Sequence, residues 1–305
     1  MKMGFKQRIK KKLHNLNSIT LQPLFRRIAG WDEIQEQIDS ANFFLNQFLD
    51  ITKAPKAIGE LRQLQLVATE VLRIVLSILD NNGIECWLDY GTLLGAVRHK
   101  GFIPWDDDLD VAIKRSDFYK TIDVLQEECP KYGIEVGTPT PGRIWLCIWK
   151  AGVVLDIFPM DNVTASSISN HEELKKRVFA YRKYYSNHRD ADISTLAQKR
   201  DDIIGTSNDM DPLWYHNAEF NADGSVYDNN TIFPLKKIRF EEYTFFVPQK
   251  CDIYLQQKYG SNYMEFPKKG ILHHSGGNNQ SIVNNSTKYN VDMDKLLCEL
   301  RSIHL

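Results

Sequence analysis

Phe5, Ile9, Leu13 and Leu16 recur at helical spacing among Lys2, Lys6, Arg8, Lys10, Lys11 and Lys12. That pattern predicts a basic amphipathic helix suited to an anionic membrane surface, with a solvated arm as the alternative. After Lys53-Ala54-Pro55, the positions Leu61, Leu64, Val67, Val71, Leu72, Val75, Leu76 and Leu79 mark a core helix, ended by Asn81-Asn82-Gly83. From Ile84 the period shortens. IECWLDY reads as a strand, GTLLGAVR as a tight turn into a short helix, and DLDVAI as a strand. SDFYKTIDVLQEEC reads as a helix with Ser116 as its N-cap. RIWLCIWK and VVLDIF read as two strands of a hairpin turning at Ala151-Gly152. Residues 161–235 alternate polar, charged and aromatic clusters, punctuated at Asp211-Pro212 and Asp223-Gly224, and are assigned only loosely. Cys251 to Tyr259 predicts a helix, and a polar stretch around Ser275-Gly276-Gly277-Asn278-Asn279 follows it. No internal repeat is visible. The sum is an α+β fold with a mixed β-sheet flanked by helices and with added helical N- and C-terminal segments. The expected division is 1–56 (basic arm and helices), 57–270 (catalytic domain) and 271–305 (polar segment and helix).

Composition narrows the function classes. At 305 residues with 43% hydrophobic and 25% charged, the chain can bury a sizeable core as one large domain with appendages. A formal net charge of -1 and a pI near 6.7 argue against a general polyanion binder, so no nucleic-acid partner is expected. Cys86, Cys129, Cys147, Cys251 and Cys298 are odd in number and form no CxxC pair, which predicts reduced thiols and neither a disulfide framework nor a zinc knuckle. No run of 18 apolar residues and no signal-peptide core is present. The expected location is therefore cytoplasmic, with peripheral contact at the inner membrane face through residues 1–20.

The chemistry concentrates in WDDDLD, residues 105–110. Like charges a few ångströms apart repel by about 1 kcal/mol in water and by more in a partly buried site, so the cluster calls for a cation. On a strand, Asp108 and Asp110 project to one side about 7 Å apart while Leu109, Val111 and Ile113 pack on the other. Carboxylates of this kind suit Mg²⁺, with Mn²⁺ as an alternative and phosphate oxygens completing the coordination. Asp156, embedded in VVLDIF, is a candidate third carboxylate, because a buried aspartate needs a partner. Asp106 and Asp107 read as groups that shape the loop or support the ligands. The spacing of a calcium-binding loop is missing, and His273-His274 has no third metal ligand nearby in sequence. Upstream, Tyr90-Gly91-Thr92-Leu93-Leu94-Gly95 opens a helix after a strand, where glycine and free N–H groups can approach a phosphate. Arg98, His99 and Lys100 add positive charge a turn later. An ordinary strand-to-helix turn is the plainer alternative for Gly91 and Thr92.

WLDYGTLLGAVRHKGFIPWDDDLDVAI, then LDIFPMD, then RFEEYTFFVP with YLQQKYGSNYMEFP, together resemble the LicD/fukutin family of phosphotransferases. The likeness runs through most of residues 84–270 in order, and the first 83 residues fall outside it. The resemblance implies a nucleotidyltransferase-like fold. It also implies transfer of phosphocholine, glycerol phosphate or ribitol phosphate from a CDP-linked donor to a sugar hydroxyl of a glycan or lipid-linked glycan, with CMP leaving. Carried over, Asp108 and Asp110 are the metal pair and Asp156 the third carboxylate, which shares the metal or accepts the hydroxyl proton. Gly91 and Thr92 are the phosphate-contacting turn, with Arg98 and Lys100 as supporting charges. No Cys-rich insertion like the zinc-binding loop of the fukutin-related protein is present, so no structural zinc is implied. Two rival readings remain: nucleotidyl transfer from an NTP, and a non-catalytic nucleotide- or glycan-binding protein on the same scaffold.

Overall fold

A computed structural model describes residues 31–164, 171–205, 212–216, 219, 225–266 and 285–305. The described residues fall into two compact units, 31–50 with 265–266, and 51–264 with 285–305. The first contains α1 (Trp31–Phe48), on which Phe44 and Phe48 meet with ring centroids 4.7 Å apart. The basic run of residues 1–16, His273-His274 and the Gly/Asn-rich stretch lie outside the described residues.

The second unit opens with α2 (Gly59–Asn81), where the expected apolar stripe is buried from Leu64 to Leu79 and Gly83 ends the turn with φ 66°. Burying each such Leu, Ile or Val side chain contributes about 1.5–3 kcal/mol, which is why this helix is the spine of the core. Next come β1 (Cys86–Leu88), α3 (Tyr90–His99), β2 (Leu109–Lys114), α4 (Phe118–Glu128), β3 (Glu135–Val136), β4 (Ile144–Ile148) and β5 (Val153–Val163). The hairpin at Ala151-Gly152 forms as expected: β4 pairs antiparallel with β5 across a 3-10 turn.

One expectation fails here. Ser116 does not cap α4; Arg115–Asp117 form a 3-10 turn and the helix starts at Phe118. The reason lies in Arg115, whose guanidinium is drawn into a buried cluster. It donates to both Asp161 oxygens at 2.7 and 3.0 Å and to Glu219 Oε2 at 3.1 Å. Those charge-assisted bonds outweigh a single cap hydrogen bond.

The loosely assigned middle contains α5 (His171–Asn187), α6 (Ile193–Ile204), β6 (Leu213–His216), β7 (Val226–Asp228) and the single turn α7 (Asn229–Ile232). Leu174, Val178, Tyr181, Ile204, Tyr215 and Val226 build a second small core around Val163. A hairpin of β8 (Lys236–Phe240) and β9 (Tyr243–Val247), then α8 (Cys251–Tyr259), α9 (Asn285–Lys288) and α10 (Met293–Arg301), complete the described chain.

Among the described residues the sheet is mixed, with seven strands, in the order β1-β2-β5-β4-β3; β6 continues along the far half of β5 and carries β7. β2 and β5 run parallel, and every other pairing in this sheet is antiparallel. Helices flank it, giving the mixed α/β, nucleotidyltransferase-like architecture expected. All five cysteines are free thiols, Cys298 alone being exposed. Among the described residues no helix is long and apolar enough to cross a membrane.

Candidate active site

The site is built where two central strands meet the start of α3. Leu109, Val111 and Ile113 of β2 are fully buried in the main core, so alternation turns Asp110 to the other face. The parallel register of β2 and β5 sets Asp110 directly beside Asp156, and the antiparallel register of β4 sets Trp145 on the far side of Asp156. Neighbouring strands lie about 4.8 Å apart, so the two carboxylates start from adjacent backbone positions on one face. Asp156 is 8% exposed and accepts from Arg143 Nη1 at 3.0 Å.

α3 begins immediately above. Asp89 is its N-cap: Oδ1 accepts the Tyr90 N–H at 2.8 Å, which satisfies one donor of the first turn. Two further bonds tie α3 to β2. The Asp89 N–H donates to the Asp110 carbonyl at 3.0 Å, and the Asp110 N–H donates to Thr92 Oγ1 at 2.8 Å. Gly91 is required by space rather than by backbone angle. A Cβ there would lie 2.7 Å from Asp106 Oδ2 and 3.8 Å from Asp110 Oδ2. The left-handed angle belongs instead to Tyr90, φ 40°, a conformation that costs an L residue on the order of 1–3 kcal/mol and is found where a site dictates it.

Asp108 precedes β2 rather than standing on it, because the strand starts at Leu109. It belongs with Asp106 and Asp107 in a loop where one oxygen from each lies within 4.8 Å of the others. The expected trio of Asp108, Asp110 and Asp156 is thus joined by a compact loop set, and Asp106 is part of the site itself. Burial first, then Asp108, Asp156, Asp106 and Asp89, push the Asp110 carboxyl well above its ordinary value. Burial, then Asp108 and Asp107, do the same to Asp106. Each pushes the next because their charges are neither separated nor screened by water. Hard carboxylate oxygens at this density fit a hard divalent cation such as Mg²⁺ or Mn²⁺.

The expected supporting cations stand differently. Arg98 is 6% exposed and donates to the Tyr263 carbonyl at 2.9 Å; burial lowers its pKa to about 10 against the opposing pull of Tyr259 and Asp106. Lys100 is exposed at the left-handed C-cap of α3, φ 56°. A further cation beside the start of α3 is Lys258, whose Nζ sits 4.0 Å above the Tyr90 ring.

Tyr254, Lys258, Tyr259, Asp89 and His216 escaped the sequence reading. Tyr259 is 40% exposed as a residue, but its hydroxyl is desolvated near Asp110, Asp89 and Asp106, and desolvation first and then their charges raise it well above the ordinary range. Tyr254 donates to Asp89 Oδ1 at 2.8 Å and lies 3.0 Å from His216 Nε2, while His216 Nδ1 lies 3.4 Å from Asp89 Oδ2. This buried network fixes the cap of α3 from α8 and β6. The signal was present in YLQQKY, which puts Tyr254, Lys258 and Tyr259 within about a turn and a half of helix, and in an aspartate ending an apolar strand before Tyr-Gly.

The N-cap, the turn at Gly91-Thr92 and the aspartates from Asp106 to Asp110 all lie in the stretch that matches a known family. A family model described as LicD/FKTN/FKRP, nucleotidyltransferase domain, matches residues 83–140. Over that stretch the chain is similar to the LicD/FKTN/FKRP nucleotidyltransferase domain. The lipopolysaccharide cholinephosphotransferase LicD of Haemophilus influenzae is 43% identical over 76 residues, 25% of this chain and 29% of that protein. The human ribitol 5-phosphate transferase FKRP is 46% identical over 103 residues, 33% of this chain and 18% of that protein. The chain thus spans less than a third of the length of these relatives.

Proposed function

We propose that this chain is a phosphoalcohol transferase. It moves phosphocholine, glycerol phosphate or ribitol phosphate from a CDP-linked donor to a sugar hydroxyl of a cell-surface glycan such as a lipopolysaccharide, teichoic acid or capsule, and CMP leaves. The observation that carries this is the pairing of Asp110 with Asp156 under Gly91, beside the Asp106-Asp107-Asp108 set, in a chain similar to the LicD/FKTN/FKRP domain over residues 83–140. Asp108 and Asp110, with Asp106 and Asp156 in support, would hold Mg²⁺ or Mn²⁺, which when bound supplies charge neutralisation for the donor phosphates. The chain's own residues supply the rest. Gly91 and the Thr92 turn admit the phosphate against the backbone, Lys258 and Arg98 offset negative charge, and Asp156 accepts the proton of the attacking hydroxyl.

The test is product analysis. With Mg²⁺ and candidate glycans, one of CDP-choline, CDP-glycerol or CDP-ribitol is expected to yield CMP and a phosphoalcohol-modified acceptor. Consumption of a nucleoside triphosphate with release of pyrophosphate would replace this reading by nucleotidyl transfer.

The basic segment within residues 1–20 is proposed to hold the enzyme at the inner membrane face, near a lipid-linked acceptor, because its cations and apolar positions match an anionic bilayer surface. Full-length protein is expected to co-sediment with phosphatidylserine vesicles in a salt-sensitive way. Removal of residues 1–20 should abolish it, and equal sedimentation of both proteins would dismiss the membrane role.

A further inference from the structure

RFEEYTFFVP is part of the family likeness, yet it supplies no group to the chemistry just described. It forms the end of β8, the Glu241-Glu242 turn and β9, and Glu241 is 3% exposed with φ 51°. Its backbone N–H and its Oε1 are committed to the stem of the acidic loop. The Glu241 N–H donates to the Lys100 carbonyl at 2.8 Å, and Glu241 Oε1 accepts the Phe102 N–H at 3.3 Å. A Cβ on Gly101 would collide with Glu241 Oε1, so the loop starts with a residue that leaves room for this carboxylate.

The contacts run on from there to the site. Arg62 of α2 donates to Glu241 Oε1 at 3.0 Å and to Oε2 at 2.8 Å, and Lys56 donates to Oε2 at 2.5 Å. Arg62 Nη1 also reaches Gln65 Oε1 at 3.3 Å. Gln65, 1% exposed, points its amide Nε2 into the loop and donates to the Asp106 carbonyl at 2.9 Å and the Ile103 carbonyl at 3.4 Å. One continuous set of hydrogen bonds therefore joins a hairpin far along the chain to the backbone of Asp106.

We infer that Glu241, acting through Arg62 and Gln65, is a positioning residue for the acidic cluster. It fixes the loop from Gly101 to Asp108 so that the Asp106 carboxylate stays against Gly91 and the three loop carboxylates stay within reach of one cation. The inference rests on reading the cluster as a cation site. An acidic loop needs such anchoring because mutual repulsion drives its carboxylates apart whenever the cation is absent. An anchor that works through backbone carbonyls and N–H groups does so without competing for the ligand oxygens.

Mn²⁺ titration of the full chain, followed by calorimetry, tests this together with amide hydrogen exchange over residues 101–108. Glu241→Ala and Gln65→Met are each expected to weaken Mn²⁺ binding about tenfold and to speed exchange in the loop. Glu241→Gln, which keeps one oxygen for the Phe102 N–H or Arg62, should recover part of the loss. Tyr243→Phe serves as the control, because it removes only the hydrogen bond to Glu70 from the same hairpin; it should leave Mn²⁺ binding unchanged. If Glu241→Ala does not fold, Glu241→Gln and Gln65→Met carry the comparison. Wild-type Mn²⁺ affinity and loop protection in folded Glu241 and Gln65 variants would overturn the inference. Failure of the unaltered protein to bind Mn²⁺ would instead remove the cation reading, and the exchange data would still decide whether Glu241 holds the loop.

Discussion

Asp110→Asn is expected to stabilise the protein in metal-free buffer while nearly abolishing turnover. Burial and the charges of Asp108, Asp156, Asp106 and Asp89 raise the Asp110 carboxyl well above its ordinary value of 3.8. A carboxyl raised in the folded state binds its proton more tightly there than in the unfolded chain. Metal-free stability therefore falls as pH rises from near 3.8 to the raised value, and stays low above it. Asparagine removes the repelling charge, so the variant should be the more stable protein at pH 7 and show a flatter dependence on pH. Mg²⁺ should raise the melting temperature of the unaltered protein and do so much less for the variant. Turnover should drop by about a thousandfold or more, because a misassembled cation site forfeits several kcal/mol of charge stabilisation in the transition state. Asp108→Asn should behave alike. Wild-type-like turnover of either variant under saturating Mg²⁺ would sink the assignment.

Gly91→Ala is expected to separate activity from stability in the opposite sense to a core mutation. Gly91 lies in the first turn of α3 with no left-handed angle, so alanine is conformationally acceptable and brings a better helix propensity. Its methyl, however, would stand 2.7 Å from Asp106 Oδ2, and a carboxylate that close must move. A displacement of about 1 Å in a positioned group can cost about a hundredfold in rate. Thermal melts should therefore show little change or a slight gain, while kcat falls about a hundredfold. A loss of activity that merely tracks a loss of folded protein would mean that Gly91 serves packing alone.

The Tyr254–Asp89–His216 network and the Glu241 anchor act on neighbouring segments of the site. The first fixes the start of α3 and hence Gly91 and Thr92. The second fixes the loop that brings Asp106 to Gly91. Between them, the crowding of negative charge is held in place by neutral donors and by cations outside the cluster.

Local periodicity by itself determined the α2 stripe, the β4–β5 hairpin and the strand character of the residues after Asp108, because those patterns depend on neighbours within a few residues. It also singled out Asp110 and Asp156, since an aspartate inside an apolar strand stands out against the hydrophobic alternation around it. Tertiary structure alone decided that Asp110 and Asp156 are register partners, because the parallel pairing joins strands that no local pattern links. It also decided that Asp106 joins the site and that Arg98 is buried against the Tyr263 carbonyl. Which way a loop side chain points follows from backbone angles and anchors such as Gln65 and Glu241. Those anchors act from 41 and 139 residues away, and nothing in the acidic run itself encodes them.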